Sequence, residues 1–371
     1  MAQNHLKLEP LRRGGLALLV AAAGACGPGG DANPDEHDQV AGSLDREPSL
    51  ELLAPGVPAL LQAVSPVSDS VVWISGHEGI WIRSEDGGIT WVAGTVEGHE
   101  ALQFRDVHAF DARSAVLMSA GPGSASRIFR TEDGGRSWTE TFVMREPEGF
   151  LDCMDFWDDQ RGLVFGDAVE GAAYLLFTED GGRTWSRVPP DRLPPALEGE
   201  GGFAASGTCL RTGSRQRAWI STGNAATPRL LSTEDAGETW TVRDLPLSGG
   251  TARGPTSVGF RPDGLGFVLG GNIGGEDQGR RIALSADAGI TWSTVGDLAL
   301  SGPVYGAAWV PSTDPATLFA VGPGGMDWSR DGGMSWQSLD TLSYWAVEFG
   351  SSRVGWAAGP GGRVVRIRLR P

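Results

Sequence analysis

The residues best suited to chemistry are carboxylates, amides and one imidazole near the ends of predicted strands. Clustered carboxylate and amide oxygens suit a hard cation such as Ca²⁺, or a hydroxyl-rich or cationic ligand. Two facing carboxylates can also hydrolyse a glycosidic bond. Because loops are polar in most proteins, a solvated acidic rim is the competing interpretation. The candidate ligand-binding residues are Asp152, Asp155, Asp167, Glu200, Asn224, Asn272 and His77.

Known catalytic motifs are missing from the sequence. Beyond residue 48 the histidines are His77, His99 and His108, which we expect to be surface or loop residues, and there is no HExxH pair. No arginine at the start of the first repeat resembles the sialidase arginine motif. There is no CxxC or GxGxxG motif either. We therefore assign no catalytic residue, and the ligands of any metal stay unknown.

The elements that must position these residues are strands of a repeated unit. Six segments fit the pattern Ser/Thr-x-Asp-x-Gly-x-Ser/Thr-Trp, and their tryptophans are 47, 47, 55, 52 and 44 residues apart. A fixed period of this length with several short strands per unit is typical of propeller blades. A seventh unit, 344–369, lacks the box. The sequence thus predicts an all-β, seven-bladed β-propeller with Asp-box repeats at 84–91, 131–138, 178–185, 233–240, 285–292 and 329–336.

The composition of the box follows from the chemistry of a tight turn. An aspartate accepts hydrogen bonds from turn amides, glycine adopts left-handed backbone angles, and tryptophan is an apolar wedge between sheets. We therefore expect the box aspartates to be structural: Asp86, Asp133, Asp180, Asp235, Asp287 and Asp331.

Two features of the predicted propeller bear on the site. Residues 50–53 can supply a fourth strand to the last blade and close the ring, which removes an exposed sheet edge. The connections between blades should emerge opposite the box turns, on the face that holds the candidate residues. The longest insertion, 188–202, is stiffened by prolines and is either a wall of the central channel or a neutral loop.

The cysteines beyond the N-terminal region are Cys153 and Cys209, on predicted innermost strands of adjacent blades. An exported protein can pair them, but their registers look offset by about two residues, and a disulfide tolerates little mismatch. We therefore favour two buried thiols over a disulfide or a redox pair.

The N-terminus has the pattern of an export signal. Basic residues precede the short apolar run 16–25, and Cys26 follows small residues, as in bacterial lipoprotein signals. We expect a signal peptide at 1–25, lipidation at Cys26, a flexible tether at 26–48 and the propeller at 49–371; plain secretion is the alternative. Thirty basic against 46 acidic residues give a net charge of −16, which argues against nucleic-acid binding.

Beyond the boxes, the chain over roughly 50–371 resembles the bacterial repeat propellers related to photosystem II stability and assembly factors. The resemblance also rests on the segments 152–167, 203–210 and 320–325. It implies a seven-bladed propeller and supplies no catalytic motif. The acidic charge departs from the photosynthetic members, which resemble basic-patch binders of membrane subunits.

Taken together, these patterns predict a non-catalytic binding or assembly platform in the cell envelope. We expect a monomer that holds a protein partner or a glycan and meets the membrane only through its lipid, without a required cofactor, although Ca²⁺ is compatible with the acids. The competing hypothesis is a carbohydrate-active hydrolase, glycosidase- or sialidase-like, that uses the carboxylates Asp152, Asp155 and Glu200.

Overall fold

The chain folds as a seven-bladed β-propeller, which confirms the predicted fold class. A computed structural model describes residues 47–276 and 278–370, so the predicted signal peptide, Cys26 and nearly all of the tether lie outside the described residues. Within the described part, seven antiparallel sheets of four strands each are formed. In every sheet the strands are neighbours in the chain, apart from one exchange that closes the ring.

The first four blades follow one another after the N-terminal strand β1 (Ser49–Leu53). Blade 1 contains β2 (Leu61–Pro66), β3 (Val72–Gly76), β4 (Ile80–Ser84) and β5 (Val92–Thr95). Blade 2 contains β6 (Phe104–Ala109), β7 (Ala115–Ser119), β8 (Arg127–Thr131) and β9 (Thr139–Val143). Blade 3 contains β10 (Leu151–Phe156), β11 (Gly162–Val169), β12 (Ala172–Thr178) and β13 (Ser186–Arg187). Blade 4 contains β14 (Leu210–Gly213), β15 (Arg217–Thr222), β16 (Arg229–Thr233) and β17 (Thr241–Asp244).

The last three blades complete the ring. Blade 5 contains β18 (Arg253–Phe260), β19 (Gly266–Asn272), β20 (Ile282–Ser285) and β21 (Ser293–Thr294). Blade 6 contains β22 (Gly306–Trp309), β23 (Leu318–Gly322), β24 (Gly325–Ser329) and β25 (Gln337–Asp340). Blade 7 contains β26 (Ala346–Phe349), β27 (Val354–Ala358), β28 (Val364–Arg368) and β1. The described helical turns are three short 3-10 segments, Gly123–Ala125, Pro190–Arg192 and Pro360–Gly362.

The ring is closed by pairing the two ends of the propeller. β1 is the outermost strand of blade 7 and lies antiparallel to β28, with Leu50 opposite Ile367. This confirms the predicted closure. Arg366, which is buried, adds a second link: it donates to Glu51 over 2.6 Å and to the backbone oxygen of Gly87 in the box of blade 1.

The six box turns share one hydrogen-bond pattern. In each, an aspartate oxygen accepts from the backbone N–H four residues later, over 2.8–2.9 Å. In the first box the Thr90 hydroxyl also donates to Asp86, and together these bonds hold the pKa of Asp86 at about 2. The negative charge of Asp86 is therefore stabilised by hydrogen bonds from its own turn.

The box turns define one face of the propeller. The glycine N–H of the first box donates to the carbonyl of Ser70, in the turn between the first two strands of the same blade, over 2.9 Å. The second box bonds to Arg113 in the same way. We call this side the box face; the opposite side, which carries the connections between blades, is the loop face.

The innermost strands carry bulges near the loop face. In blades 1, 2, 3 and 5 the register shifts by one residue at the start of the strand. Glycine on the neighbouring strand makes room for this bend: a Cβ on Gly166 would lie 2.3 Å from the carbonyl oxygen of Phe150. The extra residues of the bulges are Gln62, Arg105, Asp152 and Thr256.

Candidate functional site

A buried segment closes the loop-face end of the central channel. This segment, 202–208, which we call the plug, connects the long insertion to blade 4. Gln62 of blade 1 donates to the carbonyl of Ala205 over 3.3 Å, and the Ser206 hydroxyl donates to the carbonyl of Tyr305, before blade 6, over 2.7 Å. Blades 1 and 6 are not neighbours of blade 4 in the ring. The chain therefore crosses the channel here. One interpretation of the sequence was that the insertion 188–202 forms a wall on only one side of the channel.

The bulges explain how the plug is held. Each bulge leaves one residue unpaired in the ladder and re-aims its side chain. Gln62 contacts the plug as described, and Arg105 donates to the carbonyl of Ala204 over 3.4 Å. A Cβ on Gly202 would lie 2.6 Å from the Asp152 carboxyl carbon, so this glycine allows close approach. The inner ends of blades 1, 2 and 3 thus surround the plug with polar side chains. We call Gln62, Arg105 and Asp152 the polar collar.

Asp152 and Asp167 form a carboxyl pair under the plug. Asp152 is only 1 % exposed, and the Gly202 N–H donates to Asp167 over 3.0 Å. Burial and the neighbouring Asp167 carboxylate raise the pKa of Asp152 well above its usual value; burial also raises the pKa of Asp167. Two adjacent carboxyls of this kind share a proton, because both charges cannot be accommodated together.

The pair makes stability depend on pH. Its folded-state pKa values are raised, so the stabilisation that it contributes is present below the unfolded pKa near 4 and is lost as pH rises through the folded values. We expect Asp152→Asn to raise the melting temperature above that of the parent by a few degrees at pH 8, and by less near pH 4. Scanning fluorimetry from pH 4 to 9 measures this difference.

The matched control for this prediction is Asp159→Asn, an exposed residue in the box-face turn of the same blade. The pKa values of Asp106 and Glu348 are also raised by burial, but both groups are present in all the proteins compared and cancel in the difference. A melting temperature for Asp152→Asn that runs parallel to the parent at every pH would contradict the shared proton.

Glu200 is neutralised by Arg229 rather than open to a ligand. Its side chain is 6 % exposed and accepts from the Arg229 Nε over 2.8 Å, with a second, shorter bond to the Arg229 terminal nitrogen. The Thr222 hydroxyl and the Leu197 N–H donate to it over 2.5 and 2.8 Å. Both carboxylate oxygens are therefore occupied by the protein itself.

Asp155 lies away from Asp152, towards the box face. The two residues are three positions apart on β10, or about 10 Å along an extended strand. Asp155 accepts from the Thr212 N–H over 2.8 Å and lies 3.4 Å from the His108 ring. Burial raises the pKa of Asp155, but His108 and Arg211 outweigh it and lower the value overall. The four predicted acids thus belong to three separate sites.

The mixed-charge cluster around Asp155 is a site that sequence reasoning missed. His108 is part of the innermost strand β6, so its assignment to a surface or loop was wrong. Arg211 of β14 forms an ion pair with Glu348 of β26 and also interacts with Asp155 and the buried Asp106. The sequence feature that could have revealed this cluster is a polar residue within the innermost strand of several blades.

The three remaining candidates stabilise local structure. His77 bonds to Gln62 over 2.5 Å, and burial lowers its pKa. Asn224 has a left-handed φ of +64° and accepts from the Ala252 N–H over 2.8 Å. Asn272 accepts from the Gly274 N–H over 3.0 Å. Of these, only His77 is next to the collar.

An aromatic pair also borders the plug. The rings of Tyr305 and Trp345 stack with centroids 4.3 Å apart at 28°, and both residues are half-buried. They directly precede the innermost strands of blades 6 and 7, which places them at the loop face. We call the surface formed by these two rings, Arg105 and His77, above the buried plug, the mouth surface. The sequence feature that could have revealed this pair is an aromatic residue at the start of two consecutive blades.

The two cysteines are joined by a disulfide, so the expectation of free thiols was wrong. The Cα atoms of Cys153 and Cys209 are 5.8 Å apart, within the range that a disulfide spans. The bulge at Asp152 shifts the register of β10 by one residue and so reduces the apparent offset. Cys209 also precedes β14 rather than standing within it.

Within 47–276 and 278–370, no group of three or more histidine, cysteine, aspartate or glutamate side chains is arranged to hold a metal ion. In the same part of the chain, no helix has the length and apolarity needed to cross a membrane.

Comparisons with known proteins add the fold relationships. No family model and no curated protein matches the chain. Among solved structures, it is similar to "YCF48 bound to D1 peptide", with a TM-score of 0.63 and 17 % identity over 90 % of this chain and 100 % of that one. YCF48 from Cyanidioschyzon merolae gives 0.61 and 16 %, over 86 % and 98 % of the two chains. A streptogramin B lyase structure gives 0.64 and 13 %, over 87 % and 98 %. These similarities show that the chain shares the β-propeller fold with proteins of different activities.

Proposed function

We propose that this chain is a non-catalytic platform that binds a polypeptide partner on its mouth surface, displayed in the cell envelope through a lipid on Cys26. The observation that carries the proposal is the plug: it crosses the loop-face end of the channel and bonds to blades 1 and 6, so that this end is closed. That surface offers a stacked aromatic pair and the Arg105 guanidinium, residue types enriched where proteins bind each other. A YCF48 structure of the same fold holds a D1 peptide, which supports a polypeptide rather than a glycan as partner.

The hydrolase alternative gains nothing from this geometry. A glycosidase needs two carboxyl groups roughly 5–9.5 Å apart in a cleft that admits the sugar. Asp152 lies buried beneath the plug, and Glu200 forms a buried ion pair with Arg229. Asp155 lies towards the opposite end of the channel. No two of the predicted acids therefore face a common open cleft.

Display in the envelope rests on the N-terminal sequence. The apolar run 16–25, the small residues before Cys26 and the polar, proline-containing stretch that follows are the features of an exported lipoprotein. Mass spectrometry of the protein from a bacterial host tests this part directly. Cleavage before Cys26 with added acyl mass supports it; retention of residues 1–25, or an unmodified Cys26, contradicts it.

Site-specific photo-crosslinking tests the mouth surface. A photoreactive phenylalanine analogue is placed at Trp345 in the full chain, and as a control at Glu179, which is exposed on the box face of blade 3. We expect adducts with a discrete protein in cells of the source organism from position 345 and few from position 179. Equal labelling from both positions, or none from 345, would contradict a partner at the mouth surface.

A further inference from the structure

The box face exposes apolar side chains at the tips of selected boxes. The residue that follows the last glycine of the box is Ile89 in blade 1, Ile290 in blade 5 and Met334 in blade 6. These side chains are 78 %, 61 % and 61 % exposed. The same position holds a charged residue in the other boxes, Arg136, Arg183 and Glu238. Single exposed apolar residues are common on proteins, but here one turn position is apolar on one side of the ring and charged on the other.

Blade 7, which lacks a box, lies between these tips and contributes positive charge. Residues 349–371 contain five arginines and no acid, within a chain of net charge −16. Three of them, Arg353, Arg368 and Arg370, are exposed, and Arg368 lies 3.4 Å from the Glu51 carboxylate of β1. Arg353 is in the box-face turn of blade 7, and its carbonyl accepts from the Leu369 N–H over 2.8 Å. The apolar tips and the arginines of blade 7 therefore share one arc, from blade 5 through blade 7 to blade 1, which also carries the exposed acids Asp69, Glu85 and Asp314.

The N-terminal segment joins the propeller on the same face and in the same arc. Ser49, the first residue of β1, pairs with Arg368, the last residue of β28. β28 runs from the loop face to the box face, so residues 1–48 are connected at the box-face end of blade 7. Those residues include the apolar run 16–25 and Cys26. The attachment point of residues 1–48 therefore lies on the same face as the exposed apolar tips.

We propose that the box-face arc of blades 5, 6, 7 and 1, the membrane arc, rests on the lipid surface and orients the propeller. Exposed apolar tips enter the boundary between headgroups and acyl chains, while Arg353 and Arg370 of blade 7 remain at the level of the lipid phosphates. The aspartates of these boxes accept hydrogen bonds from their own turns. The mouth surface, on the opposite face, then points away from the membrane. The inference rests on the envelope display in the proposed function.

A dye-based depth measurement tests the arc. A chain that carries a hexahistidine tag in place of residues 1–26 is attached to the vesicles through a nickel-chelating lipid. Cys153 and Cys209 remain in their disulfide, so one introduced cysteine can carry an environment-sensitive dye. Ile89→Cys and Met334→Cys probe the arc; Arg136→Cys and Glu238→Cys are controls at the same turn position in blades 2 and 4. With phosphatidylcholine–phosphatidylglycerol vesicles, we expect a two- to fivefold rise in emission at 89 and 334 and little change at 136 and 238.

The electrostatic contribution has its own comparison. Arg353→Glu combined with Arg370→Glu should weaken the response at Ile89→Cys on vesicles with phosphatidylglycerol, with a smaller effect on pure phosphatidylcholine. Equal emission at all four dye positions, or none at 89 and 334 while the protein sediments with the vesicles, would overturn the proposed orientation. Photo-crosslinking at position 345 is measured independently of the dye emission. The two experiments therefore show separately whether the proposal for the membrane arc or the proposal for the mouth surface is wrong.

Discussion

Replacing Cys153 and Cys209 together with alanine should lower the free energy of unfolding by about 4 kcal/mol. The disulfide joins residues 56 positions apart. In the chain-entropy description, opening a loop of this length lowers the stability of the protein by about that amount. The reason is that the unfolded chain regains conformational entropy when the cross-link is absent. The bond also fastens β10 to the start of blade 4, next to the plug. Denaturant titration of the parent and the double variant measures the change.

Reduction provides the internal control for this prediction. A reducing agent should lower the denaturation midpoint of the parent towards that of the double variant and leave the variant unchanged. Thiol alkylation of the unfolded parent under non-reducing conditions should label neither cysteine. Labelling of both, or a midpoint that is insensitive to reduction, would show that the two thiols are free.

The architecture was predictable because its signals are local and repeated. Each box places an aspartate, a glycine and a tryptophan within eight residues, and the turn that they form requires no distant partner. The spacing of the tryptophans then counts the blades. The closure of the ring by residues 50–53 was also predictable from the number of strands. The last unit has only three strands of its own, and an open sheet edge is unfavourable.

The candidate site was less predictable because its contacts are long-range. The bulge at Asp152 changes which side chains of β10 face the channel, and a shift of one residue exchanges the two faces of a strand. Arg211 and Glu348, which set the surroundings of Asp155, are 137 residues apart in the chain. The plug has no periodic pattern, and its sequence, rich in glycine and alanine, resembles that of an ordinary connection. Of the four candidate acids, Asp152 and Asp155 lie on an innermost strand. Asp167 lies on a second strand, and Glu200 bonds to Arg229 on a third strand, so the four were grouped wrongly.

Arg229→Ala should lower the free energy of unfolding by about 3–5 kcal/mol, the usual cost of leaving one partner of a buried ion pair without the other. The side chains of Arg229 and Glu200 are only 11 % and 5 % exposed, so water cannot replace the lost partner. Glu200→Ala should cost a similar amount, while the double variant with leucine at both positions should recover much of the loss. Denaturant titration of the parent, the two alanine variants and the double alanine variant gives the coupling energy as a double-mutant cycle, and the double leucine variant is measured beside them.

The exposed pair Arg161–Asp158 is the matched control, because its two side chains are 35 % and 39 % exposed. Surface pairs of this kind contribute about 0–1 kcal/mol, so Arg161→Ala should change stability little. The sign of the Glu200→Ala effect separates the two roles considered for this residue. A carboxylate kept for ligand binding is commonly a strain on the fold, and its removal stabilises the protein. A stabilising Glu200→Ala would therefore return Glu200 to the candidate site, whereas a large loss shared with Arg229→Ala places it in the scaffold that holds the plug.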